Sequence, residues 1–116
     1  MAFSFETKEL KSSLLYIFKG KLTNEGDSLT LNDKIDKEIT SGQHNLIFDL
    51  SDLKQCNSSG LNIMVRTLTK TRIANGDLVL CNLNEALYKL FTITKINEIF
   101  SIYPSLEDAV KHFKQQ

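Results

Sequence analysis

Cysteine and histidine are scarce in this sequence, which contains two of each: Cys56 and Cys81, and His44 and His112. Two cysteines are too few for a disulfide scaffold, and this pair lacks the spacing of metal ligands. With only two histidines beside them, a zinc cluster is not expected. The sequence therefore predicts no metal and no cofactor, and it is typical of a protein from the reducing cytoplasm.

Long apolar segments and an excess of charge of one sign are also absent. Runs such as Leu14–Phe18 are far shorter than the roughly 20 apolar residues of a membrane helix, and Met1–Glu6 alternates apolar and polar residues, unlike a secretory signal. The 14 Lys and Arg residues balance 14 Asp and Glu residues. Binding to nucleic acid or to an anionic membrane surface usually rests on excess positive charge. We therefore expect neither as a partner.

What the sequence does contain is enough apolar residues for one folded domain. Of its 116 residues, 41% are hydrophobic, and at this length a domain can bury a core without disulfides or metals. Charged residues are mixed in sign and no linker or repeat interrupts the chain, so disorder is not expected. The sequence predicts a single domain over residues 1–116.

Apolar periodicity places strands and helices in alternation along the chain. Alternating or continuous apolar residues indicate strands, and recurrence every three or four residues indicates helices. Strands are predicted at 3–9, 14–18, 45–50, 77–81 and 99–103, loops at 20–27 and 51–57, and helix starts near Asp27 or Ser28, at Ser58, after Asn82 or Asn84, and at Ser105. The order β-β-α-β-α-β-α-β-α predicts an α/β fold with a mixed sheet of about five strands and four helices.

One segment combines hydroxyl groups with the start of a helix. After the predicted strand at 45–50 and a turn, the second helix opens with Ser58, Ser59 and Gly60. Binding sites in open α/β sheets form beyond the carboxyl ends of strands, and free N–H groups at a helix start favour an anion. A phosphate at Ser58 would be stabilised there. Helix capping by Asn57 or Ser58 is the simpler interpretation of the same residues.

Other chemistry at this segment is weakly indicated. The sequence of residues 57–60 is not the G-x-S-x-G elbow of a serine hydrolase, and both histidines are predicted to be ordinary surface residues, so no enzyme is expected. Cys56 is either a reactive thiol near a helix start or, as is commoner, a small buried residue. Ile63 falls off the apolar stripe of its helix, and we expect it to be exposed beside Ser58.

The ordered series of segments resembles the STAS domain family, named for sulfate transporters and anti-sigma factor antagonists. The resemblance covers nearly the whole chain. It rests on Gly20-Lys21-Leu22 after the second strand, on the central strand at 46–51, on Asn57-Ser58-Ser59-Gly60-Leu61, which is similar to the family's D-S-[ST]-G-L, and on the closing strand and helix at 100–109. The subgroup that the chain resembles is the bacterial anti-sigma factor antagonists, or anti-anti-sigma factors.

The resemblance implies a STAS fold and a binding protein that is switched by phosphorylation. In this subgroup the unphosphorylated form binds an anti-sigma factor that is also a serine kinase, which frees a sigma factor. The first serine of the motif accepts the phosphate, which maps to Ser58, with Ser59 as the second choice, and a metal-dependent serine phosphatase resets the switch. We expect the partner-binding surface to comprise Thr23, Asn24, Asn57, Ser58, Ser59, Gly60, Leu61, Asn62 and Ile63.

Two residues depart from the family pattern. Asn57 stands where the family usually has Asp, and Thr23 stands where relatives often carry Asp, so the site is less acidic. A non-switching scaffold or interaction module in a signalling assembly is therefore an alternative function. A small-ligand or nucleotide-binding domain is another, and it would require an apolar pocket beside the Ser58 loop.

Overall fold

The computed structural model describes residues 2–114, which form five strands, four α-helices and one short 3-10 helix. In chain order they are β1 (Ser4–Glu9), β2 (Leu14–Leu22), α1 (Glu25–Thr40), β3 (Asn45–Cys56), α2 (Ser58–Ile73), β4 (Asp77–Cys81), α3 (Glu85–Ile93), the 3-10 helix (Ile96–Glu98), β5 (Ser101–Tyr103) and α4 (Leu106–Lys114). The predicted order of elements is confirmed.

The strands form one mixed sheet in the order β1-β2-β3-β4-β5. β1 pairs with β2 in antiparallel fashion, and the remaining pairs are parallel. Parallel crossovers are right-handed in nearly all proteins, so successive crossovers in one direction place their helices on the same face of the sheet. Side chains of α1, α2 and α3 accordingly share one core with the sheet, and α4 packs in a second, smaller core on the other face.

Successive side chains of the strands point to opposite faces of the sheet and so contribute to both cores. Tyr16, Phe18 and Phe48 are fully buried in the larger core, while Ile47 and Val79 are buried in the smaller one against α4. The central strands therefore bury both faces, which explains why their sequences are continuous apolar runs. None of the helices within residues 2–114 is both long and apolar enough to cross a membrane.

The loop predicted at 51–57 is strand as far as Cys56, and the loop predicted at 20–27 is strand at 20–22 and helix from Glu25. β2 continues to Leu22 and β3 to Cys56, and these two residues lie opposite each other in the parallel ladder. Backbone pairing between the two strands outweighs the polar composition of the segment from Ser51 onwards. Gly20, with φ of 87°, lies beside a register shift in β2, and a side chain there would collide with the backbone of Ala2.

Helix starts also differ from the prediction. α1 begins at Glu25 rather than near Asp27 or Ser28, because Asn24 is the N-cap and its Oδ1 accepts from the Asp27 N–H at 3.1 Å. Ser28 is instead buried. Asn84 caps α3, and Ser105 caps α4 by accepting from the Asp108 N–H. β5 begins at Ser101 rather than Ile99 because the 3-10 turn precedes it.

The prediction that both histidines are ordinary surface residues is wrong. The His112 side chain is only 17% exposed, with Nε2 at 2.9 Å from Asp77 Oδ2 and Nδ1 at 2.8 Å from the Tyr103 hydroxyl. His44 is half-buried, and its buried Nδ1 has no hydrogen-bond partner within residues 2–114. Helical periodicity locates His112 on α4, but its neighbours come from β4 and β5, which no local pattern reveals.

Candidate functional site

The carboxyl ends of β2 and β3 lie side by side, so the starts of α1 and α2 are brought together. Leu22 and Cys56 are the last paired residues of the two strands, and the Asn57 N–H donates to the Leu22 carbonyl at 3.1 Å. Thr23 and Asn24 therefore lie next to the residues that open α2. The pairing of the strands brings together the residues of the candidate site that the sequence predicts.

Asn57 connects the two helix starts through its side chain. Its Oδ1 accepts from the Gly60 N–H at 3.1 Å, which caps α2, and its Nδ2 donates to the Thr23 carbonyl at 2.9 Å. The Asn57 carbonyl accepts from the Leu61 N–H at 3.0 Å. A carboxamide can perform both side-chain functions at once because it carries an acceptor and two donors.

Gly60 is required here by packing. A Cβ at this position would lie 2.5 Å from Cys56 Sγ and 3.0 Å from the Leu22 side chain. The glycine lets the first turn of α2 sit directly on these two buried residues. Burial raises the pKa of the Cys56 thiol to about 12, so the thiol is neutral at physiological pH. Cys56 is a small buried residue of the core, and the reactive-thiol alternative is wrong.

Ser58 and Ser59 are exposed at the first two positions of α2. The N–H groups of the next two residues are bonded to Asn57, and this leaves the N–H groups of Ser58 and Ser59 without an intrahelical acceptor. The first turn, with the sequence Ser-Ser-Gly-Leu, carries no acidic side chain. An anion at this position would meet two free donors and the positive end of the helix dipole.

The predicted partner-binding residues divide into an exposed set and a buried set. Thr23, Asn24, Ser58, Ser59 and Asn62 are exposed and Asn57 is half-buried, whereas Gly60, Leu61 and Ile63 are buried. The expectation that Ile63 is exposed is wrong, because its side chain is only 5% exposed. α1 packs beside α2, so a second stripe of α2 is covered in addition to the one that faces the sheet.

A groove between α1 and α2 adjoins the two serines, and sequence reasoning missed it. Its volume is about 150 Å³, and its lining residues are Glu25, Ser28, Leu29, Ser59, Asn62, Ile63 and Arg66. Leu29, which is 58% exposed, was the sequence signal, since it lies outside the series of α1 residues spaced four apart. Small-molecule sites usually enclose about 300–1,000 Å³, so the groove is small for a ligand-binding domain.

The remaining candidate chemistry is sparse. Residues 2–114 contain no group of three or more His, Cys, Asp or Glu side chains placed to hold a metal ion. A larger hollow of about 290 Å³ lies on α3 against Tyr88 and Ile93, and none of the predicted site residues lines it. The candidate site is therefore the surface around the starts of α1 and α2.

The profile of the STAS domain family matches residues 5–109, and the chain belongs to this family. BtrV of Bordetella bronchiseptica, a protein assigned as an anti-sigma factor antagonist, is 27% identical over 93 residues, which are 80% of this chain and 80% of BtrV. A protein of Thermotoga maritima with the same assignment is 22% identical over 81 residues, 70% of this chain and 72% of that protein.

Solved structures agree on the fold. The crystal structure of an anti-sigma factor antagonist assigned in Thermotoga maritima superposes with a TM-score of 0.88 at 20% identity, covering 95% of this chain and 94% of the other. The unphosphorylated form of the anti-sigma factor antagonist SpoIIAA superposes with a TM-score of 0.85 at 16% identity, covering 97% and 98%. The resemblance to the STAS fold inferred from the sequence is confirmed.

Proposed function

We propose that this chain is an anti-sigma factor antagonist whose unphosphorylated form binds a serine-kinase anti-sigma factor and thereby frees a sigma factor. Phosphorylation of Ser58 ends the binding, and a metal-dependent serine phosphatase restores it. The observation that carries the proposal is the exposed Ser58 at the start of α2, held beside the α1 start by the Asn57–Thr23 hydrogen bond. The names of the relatives BtrV and SpoIIAA support the same function.

Ser58 is a better acceptor than Ser59 on physical grounds. Ser59 lines the groove that Glu25 also lines, and a phosphate there would lie near a carboxylate. Ser58 is outside that groove and lies at the first helical position, where the free N–H groups and the helix dipole favour a phosphate. The first turn of α2 therefore tolerates the modification without unfolding.

The phosphate acts on the partner rather than on the fold. It adds about −1.5 to −2 charges at pH 7 to a surface whose nearest predicted contacts, Thr23, Asn24, Asn57 and Asn62, are uncharged. An interface built on neutral contacts loses affinity when one side gains an unmatched charge that must be desolvated. In this proposal the chain is a substrate and a binding protein of the cytoplasm, and both catalysts are separate proteins.

The direct test is phosphorylation in vitro. The purified chain is incubated with the serine-kinase anti-sigma factor of the same organism, ATP and Mg²⁺, and the modified residue is located by tandem mass spectrometry. We expect one phosphate, on Ser58, and none on the Ser58→Ala variant, while Ser59→Ala is modified like the unaltered chain. A phosphate found on Ser59 in the unaltered chain would contradict the assignment of Ser58.

A non-switching scaffold is the second candidate, and the neutral residues at positions 57 and 23 favour it. The family usually places Asp at position 57, and a carboxamide cannot contribute a negative charge to a metal-assisted phosphoryl transfer. Kinase binding without transfer of phosphate to Ser58 is the result that this alternative predicts.

A further inference from the structure

We infer that the groove between the N-terminal parts of α1 and α2 is an anchor pocket for the partner, taking one aliphatic side chain that is flanked by a carboxylate. We call it the α1–α2 groove and define it by the seven lining residues named above, from Glu25, Ser28 and Leu29 on α1 to Ser59, Asn62, Ile63 and Arg66 on α2. The inference rests on the proposed function, because Ser59 belongs both to this groove and to the proposed binding surface.

The size of the groove suits a single side chain. Its volume is about 150 Å³, and an apolar cavity of that volume accommodates one benzene molecule. A branched aliphatic side chain is of similar bulk, whereas a nucleotide is far larger. One buried anchor surrounded by weaker contacts is the usual arrangement of an interface hot spot.

The apolar part of the groove comes from Leu29 and Ile63. Ile63 is buried, but the Leu29 side chain is 58% exposed, although α1 directs Leu31 and Ile35 into the core. The exposed part of the Leu29 side chain contributes no burial to folding, and covering it would remove apolar surface from water. Of the two apolar groove residues, Leu29 is therefore the one whose environment would change more when an aliphatic side chain enters.

The charges of the groove specify what lies beside the anchor. Glu25 on α1 and Arg66 on α2 line the groove from different helices. Within residues 2–114 neither forms an ion pair. An exposed guanidinium binds a carboxylate in two parallel hydrogen bonds. A carboxylate on the α2 side of the anchor is attracted by Arg66, while Glu25 repels one on the α1 side, and this fixes the orientation of the partner.

Ser28 forms part of the wall of the same groove. It is 4% exposed, and its buried hydroxyl has no hydrogen-bond partner among the described residues. The groove therefore combines the exposed apolar side chain of Leu29 with one cation, Arg66, that has no ion-pair partner among the described residues.

The α1–α2 groove lies beside the phosphoacceptor, with Ser59 in its lining, and extends away from Ser58 along α2 as far as Arg66. Arg66 follows Ser58 by eight residues, which is about 12 Å along the axis of α2. Substitutions of Leu29 or Arg66 can therefore weaken binding of the partner while Ser58 stays unaltered. The groove and the phosphorylation switch can thus be tested independently.

The first experiment measures affinity for the purified serine-kinase anti-sigma factor by calorimetry. Leu29→Ser and Arg66→Glu should each raise the Kd by about tenfold or more. The matched controls are Ile93→Ser, an apolar residue on α3 that is even more exposed than Leu29, and Lys8→Glu, an exposed cation on β1. Both should change the Kd less than about twofold. If both groove variants bind with unchanged affinity while Ser58→Asp weakens binding, the inference that the groove is an anchor pocket is wrong. The proposed function would still stand in that case.

The second experiment does not need the kinase. The ¹⁵N-labelled chain is titrated with 4-methylpentanoate, an aliphatic carboxylate, and in parallel with its neutral amide. We expect amide shifts confined to residues 25–29 and 59–66, stronger for the carboxylate, with that preference lost in Arg66→Glu. Shifts elsewhere, or no preference for the carboxylate, overturn the groove. If the kinase does not bind the unaltered chain, the proposed function is wrong. This titration alone then tests whether the groove binds an aliphatic carboxylate.

Discussion

The side-chain amide of Asn57 donates to the backbone carbonyl of Thr23 at 2.9 Å, while the carbonyl oxygen of the same side chain caps α2. One side chain therefore fixes the distance between the starts of two helices. An aspartate at position 57 would keep the cap but could not donate to Thr23, since an ionised carboxylate only accepts.

Two substitutions of Asn57 separate the cap from the connection. Asn57→Ala removes both bonds and should lower the free energy of unfolding by about 1–2 kcal/mol. Asn57→Asp loses only the bond to Thr23 and gains a favourable interaction with the helix dipole, so we expect a loss below about 1 kcal/mol. Urea unfolding at neutral pH measures both values. Equal losses in the two variants would show that capping contributes nothing here.

Gly60→Ala should destabilise the protein although alanine is the better helix former. The propensity gain is about 1 kcal/mol, but the new methyl group would collide with Cys56 Sγ, and overpacking typically costs about 1–3 kcal/mol. Adding Cys56→Ala should recover part of the loss, which a double-mutant cycle by urea unfolding measures. Asn62→Ala on the exposed side of α2 is the control and should be neutral or slightly stabilising.

The two buried thiols should make stability fall in alkaline solution. Burial raises the pKa of Cys56 and of Cys81 from 9.0 to about 12, and the nearby Asp49 carboxylate adds to the rise at Cys81. Each thiol holds its proton more tightly in the folded chain, so its contribution is complete below pH 9 and is lost as the pH rises towards 12. The expected loss is up to about 1.4 kcal/mol per pH unit for each thiol.

Urea unfolding at a series of pH values above neutrality measures this slope. The Cys56→Ala, Cys81→Ala double variant should have a shallower slope. Some slope should remain, because burial also raises the pKa of Tyr16. A double variant with the slope of the unaltered chain would rule the thiols out as its cause.

His112→Ala should loosen α4. The imidazole bridges Asp77 on β4 and Tyr103 on β5, and its removal leaves two partly buried oxygens with one partner fewer. We expect a loss of about 1–3 kcal/mol in the free energy of unfolding, with faster amide exchange in residues 106–114 than in α1. His112→Phe, which keeps the ring and its contact with Phe113 but cannot form the hydrogen bonds, distinguishes packing from bonding.

Sequence patterns predicted those features of the fold that depend on neighbouring residues in the chain. The order of the elements, the continuous apolar strands and the opening of α2 at Ser58 all follow from periodicity and capping. The continuation of β3 through Ser51 to Cys56 does not, because it depends on pairing with residues of β2 that are more than thirty positions away. Composition cannot reveal a backbone ladder between distant segments.

The candidate site shows the same limit. The serine motif is visible in the sequence, and so is the departure at Asn57. The burial of Ile63 and the groove beside Ser59 arise only when α1 packs against α2, which places Leu29 and Arg66 at one opening. A helical stripe identifies the side that faces the sheet, but a helix with two neighbours has two buried sides, and a single-period pattern detects one of them.

The order of the strands has a consequence for what this edge of the sheet can recognise. In doubly wound α/β proteins the strand order reverses at a switch point, where helices diverge to opposite faces and open a crevice that encloses a nucleotide. Here the order runs β1-β2-β3-β4-β5 without reversal, and the helices of all three crossovers pack on one face. The described chain thus lacks a switch-point crevice. It presents instead an open surface around the starts of its helices, which the surface of another protein can cover.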